Sequence, residues 1–441
     1  MHREKLNILI LYCLADFEKV KDNVKKFLFF LKKYKPEHNY LFHNIYYPYP
    51  DYLMDINFDA VILDNTFFWV RHPRNEESIE FFNYIKNKYS FLKNINAVKI
   101  AFPQDDFDCS EILDEWLCEM KINFAFSPLA TNKDIDKIYK NYIKIGKIKL
   151  SYVVYIDDDY FKLLECAKNF NDREIDIGYR THKFYPIFGW IGELKWKIAD
   201  IVKDKAKNYD LVTDISYDLK DIIYGEEWYK FLNKCKFSLG SLSGSSLIDP
   251  RGEIYKKVVE YCEKNPNYNY DDINKLFYNG QDNYFFTAIS PRNIESIFTK
   301  TCQILVEGPY SDILLPWEHY IPLKKDASNF YEVYNAMKDK DLVNKIINNS
   351  LECIINKKEL YFSELANVII NLILENKKIA YNDLKSEKLI KKYNEEYLSK
   401  LNKFNEISKK KEKIKKIISK NRVFYNFAKK IYNYLKNFLI R

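Results

Sequence analysis

Three side chains in the stretch ISPRNIESIFTKTCQILVEG, Ile289 to Gly308, have the types and spacing to hold a charged, hydroxyl-rich ligand. Ser290 is suited to cap a helix and Pro291 to stand at its first position, which puts Arg292 in the first turn. The free N–H groups and positive dipole end of a helix start suit a phosphate, and a guanidinium adds a forked cation. Glu295, one helical turn on, reaches the same side. Ile294, Ile297, Phe298 and Cys302 form the apolar stripe, which leaves Arg292, Glu295 and Thr299 on a polar face. Glu307 closes the apolar run CQILV before a Gly-Pro turn, where a carboxylate can accept two hydroxyl hydrogen bonds from a sugar edge. An ordinary capped helix with an i, i+3 ion pair, followed by a solvated strand end, accounts for the same residues.

Other clusters compete on similar terms. LGSLSGSSLIDPRG gathers small residues in a chain with only 10 glycines, and Ser243, Gly244 and Ser245 can bring backbone N–H groups to a diphosphate or form a plain turn. Arg180 and Lys195 flank an aromatic loop and supply cations. PQDDFD offers Gln104, Asp105, Asp106 and Asp108, of which a carboxylate can deprotonate an acceptor hydroxyl or cap a helix. His319, in PWEHYIPLKKD, and His72, in WVRHPR, are candidates for ligand contact, although a lone histidine is more often structural. Asp157, Asp158 and Asp159 have the hard oxygens a divalent ion requires, and equally those of an Asp-rich turn that caps a helix.

These residues need elements to position them. Apolar runs followed by polar turns and helical stretches recur along the chain: LNILILYCL, FDAVILD, AVKIAFPQDD, IDIGYR, CKFSLGS and CQILV alternate with segments such as CSEILDEWLCEM and ELKWKIADIVKDK. Such alternation predicts parallel α/β sheets, and the polar break at NDRE divides it into two Rossmann-like, doubly wound lobes facing a cleft. In such lobes ligands bind beyond the carboxyl ends of the strands, where Asp64, Gln104, Asp105, Asp106, Arg180, Ser241–Ser245 and Glu307 fall. The expected domains are residues 1–170, 171–385 and a helical basic tail, 386–441.

At 441 residues, 47% hydrophobic and 30% charged, the chain is long and apolar enough for two cores. Its eight cysteines are scattered without a Cys-x-x-Cys pair, which reads as reduced thiols in a cytoplasmic protein. The apolar run near the N-terminus is read as a first strand rather than a signal or span. Residues 409–441 carry a net +11 of the total +8, leaving about −3 for the rest, so the basic excess belongs to the tail and no nucleic-acid partner is expected.

The segments REIDIGYR, IYGEEWYKFLNKCKFSLGSLSGSSLIDPRG, ISPRNIESIFTKTCQILVEGPYSDILLPWEHYIPLKKDASNF and FPQDDFD together resemble bacterial two-lobed, GT-B type glycosyltransferases of surface-polysaccharide synthesis. PRNIE and HYIPLKKDASNF also look like the donor lobe of CgeB-like and CAP-type protein O-glycosyltransferases. The likeness covers residues 5–385, is most specific from 172 to 330, and excludes the tail. It implies that the second lobe binds a nucleotide-sugar donor and the first a glycan or lipid-linked glycan acceptor. Arg292 and Glu295 then match a donor-binding Arg-x-Phe-Glu signature in which Ile294 replaces Phe, while the KT that follows breaks the usual Glu-x7-Glu spacing and leaves Glu307 unaligned. Arg180 and Lys195 match the pair that stabilises the departing diphosphate, so the resemblance implies no cofactor and no metal. Ser243, Gly244, Ser245, Ser290 and His319 complete the expected donor site. Gln104, Asp105 and His72 form the expected acceptor site, with Asp105, Asp106 and Glu295 as catalytic candidates.

Ile414, Ile417, Ile418, Phe424, Phe427, Ile431, Leu435 and Phe438 make an apolar stripe amid lysines, the pattern of a helix lying on an anionic membrane surface; an oligomer-forming helix reads the same way. Attachment there implies a peripheral enzyme on the inner face of the cytoplasmic membrane. Two other readings stay open: a metal-dependent transferase using Asp157 and Asp159, and a non-catalytic scaffold of a polysaccharide assembly.

Overall fold

The computed structural model describes residues 5–15, 17, 20–377, 383–396 and 399. The first sheet contains β1 (Asn7–Tyr12), β2 (Asn39–Asn44), β3 (Ala60–Leu63), β4 (Val98–Ala101), β5 (Phe124–Ser127) and β6 (Lys147–Leu150), in spatial order β2-β1-β3-β4-β5-β6. The second half holds β7 (Ile175–Arg180), β8 (Thr213–Ser216), β9 (Cys235–Gly240), a short antiparallel ribbon of β10 (Gly244–Ser245) and β11 (Phe286–Thr287), then β12 (Cys302–Val306) and β13 (Ile321–Leu323). Its main sheet runs β13-β12-β9-β7-β8. Neighbours in both large sheets are parallel, as the strand–helix alternation requires. The expected pair of doubly wound lobes is therefore present.

Helices in the first half are α1 (Asp22–Tyr34), α2 (Glu76–Lys88), α3 (Ser110–Glu119), the single turn α4 (Ile135–Ile138) and α5 (Asp158–Glu165). The second half has α6 (Gly189–Ala206), α7 (Glu226–Leu232), α8 (Glu253–Lys264), the single turn α9 (Tyr270–Ile273), α10 (Pro291–Phe298), α11 (Phe330–Lys338), α12 (Lys340–Asn356) and α13 (Phe362–Asn376). β1 is buried at every position because its sheet is covered on both faces, which explains the unbroken apolar run NILILY. β6, KIKL, is the exposed edge, and its lysines discourage pairing with another strand.

One helix departs from the expected boundary at residue 385. Phe362, Leu365, Ala366, Ile369, Ile370 and Ile373 of α13 pack in the core of the first sheet beside Leu28 and Phe30 of α1, where Phe30 and Phe362 stack at 5.5 Å. The second sheet's core is already closed by Ile198, Ala199 and Val202 of α6 together with Phe330, Val333, Val343 and Ile346 of α11 and α12. An apolar α13 is left to cover the other lobe, and the chain crosses back through a bridge between Ile156 and Tyr361.

Both sheets belong to one compact unit, which reaches Tyr49 and resumes at Phe58. A smaller unit pairs Pro50–Asn57 with the segment beginning at Asp383. Within it, Asn57 N–H donates to Ser386 Oγ at 2.9 Å and Tyr52 Oη to Glu396 Oε2 at 3.0 Å. Residues 384–396 are helical; the amphipathic stripe expected at 414–438 lies outside the described residues. Among the described residues no helix is long and apolar enough to cross a membrane.

Candidate active site

Strand order reverses between β1 and β3 in the first sheet and between β7 and β9 in the second. The crevices beyond the carboxyl ends of such pairs are where α/β sheets bind ligands. Lys21 caps α1 after β1, Asp105 follows β4, and His182 follows β7. Lys195 of α6 is within electrostatic reach of Asp105, His182 and Arg292 of α10, and Lys21 within reach of His182 and of Glu295 of α10.

Asp105 is held by a buried arginine. Arg71 is 0% exposed, and its NH2 donates to the carbonyls of Gln104 and Asp105, both at 2.9 Å. Its NH1 donates to Phe68 O at 3.0 Å and its Nε to Asp108 O at 3.3 Å, so one side chain fastens the whole 104–108 turn. Asp105 sits in the left-handed region, φ 54°, a conformation that costs a non-glycine residue energy and is found at functional sites. Its carboxylate is open to solvent yet walled by protein. Desolvation raises it to about 6, with Asp106 and Asp108 adding to the effect and Arg71 and Lys195 opposing it.

Asp106, expected beside it as a second catalytic candidate, is engaged inside the fold. It is 0% exposed and accepts from Ser127 Oγ and from Tyr139 Oη at 2.7 Å, so it braces the loop against β5. Gln104 accepts from Asn65 Nδ2 at 3.1 Å. His72 donates from Nδ1 to Trp69 O at 3.0 Å and has Nε2 3.5 Å from Asp108 Oδ2; burial and then Arg71 bring its imidazole down to about 3, which keeps it neutral. Asp108 instead pairs with Arg74 at 2.6 Å.

Facing Asp105 is a group of cations. Burial first and the Arg292 charge second bring the Lys195 ammonium down to about 8 from an ordinary 10.5. Burial, then Arg292, Lys195 and Lys21, hold His182 below its ordinary value. Among the described residues neither Lys195 Nζ nor the Arg292 guanidinium has a hydrogen-bond or ion-pair partner. Like charges held together are electrostatically costly, and an anion placed among them relieves that cost.

α10 begins as the sequence indicates: Asn293 Oδ1 accepts from the Ser290 N–H at 3.0 Å and from Ser290 Oγ at 2.8 Å. Pro291 occupies the first helical position, and Arg292 is exposed. The expected Arg292–Glu295 ion pair is not formed. Instead Glu295 Oε2 accepts from Trp228 Nε1 of α7 at 2.8 Å, and the Arg292 guanidinium lies 5.8 Å from the centre of the same indole. Burial raises the Glu295 carboxyl, and Trp228, Arg292, Lys21 and Lys26 oppose that shift. Thr299, expected on the polar face, is 0% exposed, with its hydroxyl donating to Glu295 O at 2.9 Å.

Several expected donor-site residues are engaged within the fold. Arg180 donates from NH2 to Asp214 Oδ1 at 2.7 Å and from NH1 to Asp214 O at 2.8 Å, which leaves Lys195 alone of the expected diphosphate pair at the cation cluster. His319 is buried, its Nδ1 accepting the Leu315 N–H at 3.0 Å, so it fastens its own turn. Ser243 O accepts from Ala288 N at 3.1 Å, while Gly244 and Ser245 form β10. Gly244 has φ 139°, and a Cβ there would meet Phe286 O at 1.8 Å, so that glycine serves the ribbon's close approach. Ser245 Oγ donates to Leu247 O at 3.0 Å. Glu307 is exposed at the end of β12, as a solvated strand end would be. Asp157 caps α5 and pairs with Lys26 at 3.0 Å, and Asp159 pairs with Lys26 at 2.8 Å and Lys162 at 2.9 Å. The Asp157–Asp159 run is thus a capped, ion-paired turn.

Lys21, His182 and Trp228 were not singled out from the sequence. A capping position after β1 and a histidine after β7 were the available signals for the first two; Trp228 had none.

No protein-family model matches the chain, and no curated protein does. Among solved structures, the chain is similar to an α-glucosyltransferase in complex with UDP-glucose and DNA containing an abasic site, at 12% identity and a TM-score of 0.44 over 84% of this chain and 99% of that one. It is also similar to Anabaena HepE in complex with UDP and glucose, at 8% identity and 0.43 over 84% and 100%. A UDP-forming α,α-trehalose-phosphate synthase from Burkholderia vietnamiensis gives 9% and 0.43 over 85% and 99%.

Proposed function

We propose that the chain is a glycosyltransferase that moves a sugar from a nucleotide-sugar donor to a glycan acceptor. The observation that carries this reading is a cluster of Lys195, Arg292 and Lys21 around His182, with Lys195 also in electrostatic reach of Asp105, beyond the carboxyl ends of two parallel sheets. The cations suit a diphosphate, and Asp105 suits removal of a hydroxyl proton. In the reaction, Asp105 takes the acceptor's proton as its oxygen bonds to the anomeric carbon. The bond from that carbon to the donor phosphate breaks, and its electron pair leaves with the nucleoside diphosphate. Lys195 and Arg292 stabilise the charge that develops there, so the mechanism calls for no metal. Glu295 accepts donor hydroxyls. A lipid-linked surface glycan as acceptor, and attachment of residues 409–441 to an anionic membrane, fit the basic amphipathic tail.

Calorimetric titration with a panel of nucleotide sugars and nucleoside diphosphates tests the site. The wild type is expected to bind at least one of them. Arg292→Ala should weaken that binding about 10- to 100-fold, the worth of a charge-assisted hydrogen bond, without changing the circular dichroism of the protein. Equal affinities in the two proteins would remove the assignment.

A further inference from the structure

Arg180, read from sequence as a phosphate contact, begins a stack that ends at the candidate donor site. Its guanidinium carbon lies 4.4 Å from the centre of the Phe231 ring while Asp214 holds its edge. Phe231 stacks on Trp228 one turn away in α7, with centroids 5.6 Å apart and planes 28° from parallel. Trp228 in turn lies beneath Arg292 at 5.8 Å and donates its indole N–H to Glu295 at 2.8 Å. One side chain therefore touches both polar residues of the first turns of α10 by two different interactions.

We infer that Trp228 is a positioning residue for donor binding: its ring, carried on Phe231 and Arg180, supports Arg292, and its N–H keeps Glu295 an oriented, ionised acceptor. This rests on the proposed reading of Arg292 and Glu295 as donor ligands. The two contributions are separable, because Trp228→Phe keeps an aromatic face for Arg292 and removes only the donor to Glu295, whereas Trp228→Leu removes both. Besides Trp228, Glu295 is faced by Arg292 of its own helix, by Lys21 and Lys26 at the start of α1, by Tyr160 of α5 and by Tyr229 of α7. The three cations favour the carboxylate, and the tyrosines are neutral at ordinary pH.

A hydrogen bond donated to a carboxylate favours its ionised form and lowers the pH at which it takes up a proton. Glu295 is raised by burial, so the carboxylate is lost as pH falls through its folded value, and removing the N–H moves that loss to higher pH. In nucleotide-sugar titrations, the acid limb of affinity should therefore lie at higher pH in Trp228→Phe than in wild type, with a smaller loss at pH 8 than in Trp228→Leu. Trp228→Leu should lose affinity at pH 8 as well. A wild-type limb that stays in place in Trp228→Phe overturns the inference. If the wild type binds no nucleotide, the functional reading fails instead, and a ligand-free experiment still decides the coupling. In protein labelled with 15N-indole, the signal missing from Trp228→Phe should move with pH in the wild type and stand still in Glu295→Gln. A signal that ignores pH, or that moves equally in Glu295→Gln, contradicts the coupling.

Discussion

The depressed Lys195 ammonium makes nucleotide affinity depend on pH in a way that can be worked through. In the free protein Lys195 loses its proton around pH 8, because burial and Arg292 disfavour the charge. A diphosphate among Lys195, Arg292 and Lys21 replaces the missing counter-charge and returns the ammonium towards its ordinary 10.5. Binding then takes up a proton between those two values, so Lys195 adds no pH dependence below pH 7 and lowers affinity above pH 8. With a free value of about 8 and full recovery on binding, affinity at pH 9 is about tenfold lower than at pH 7. Calorimetry with a nucleoside diphosphate between pH 7 and 9.5 avoids the phosphate's own titration near 6. Repeating it in buffers of different ionisation enthalpy counts the proton directly. Lys195→Arg, charged throughout, should bind with no such slope; Lys195→Met should bind weakly and equally without slope. A wild-type affinity that does not change from pH 7 to 9.5, or a slope that survives in Lys195→Arg, refutes the reasoning. The sign for stability is independent of any ligand: a lysine depressed by folding destabilises the free protein as pH falls from about 10.5 to about 8.

Replacing Arg71 with Met strands the carbonyls of Phe68, Gln104, Asp105 and Asp108, and should cost about 3 kcal/mol in urea unfolding together with loss of transfer; an unchanged midpoint would remove its role as the fastener of the Asp105 turn. Transfer should persist after treatment with EDTA, since Lys195 and Arg292 serve the leaving group; abolition by EDTA with rescue by manganese would favour a metal-dependent reaction. Deleting residues 409–441 should move the protein from membrane to soluble fractions, and unchanged fractionation would set the surface-helix reading aside.

The strands that fix the architecture were legible where apolar residues dominate: β1 and β3 carry the runs ILILY and AVIL, and β4, β9 and β12 each stay mostly apolar around Lys99, Lys236 with Ser238, and Gln303. β2 and β8 were not, because NYLFHN and TDIS carry polar residues through the strand, and FAFS in β5 is too short to declare a period. Ser290, Pro291 and Arg292 could be placed because a helix start is a local matter of capping. Arg180 and Asp106 show the limit. Each lies at a strand end where a ligand contact is expected, yet Asp214 on the neighbouring strand takes one and Ser127 with Tyr139 takes the other. Those partners are distant in sequence, and no spacing rule reaches them. The bound at residue 385 misses α13 for a similar reason, since the apolar face of Phe362–Asn376 says that it packs but not on which sheet.

Release of nucleoside diphosphate from a panel of nucleotide sugars, by wild type and by Asp105→Asn, tests the central claim most directly. The wild type should turn over at least one donor, with water or an added glycan as acceptor, and its kcat/KM should fall below pH 6 as Asp105 takes up a proton. Asp105→Asn should bind that donor with ordinary affinity and turn it over about 100- to 10,000-fold more slowly, the usual worth of a general base. A folded wild type that releases nothing from any donor, or an Asp105→Asn variant as fast as the wild type, would contradict the account.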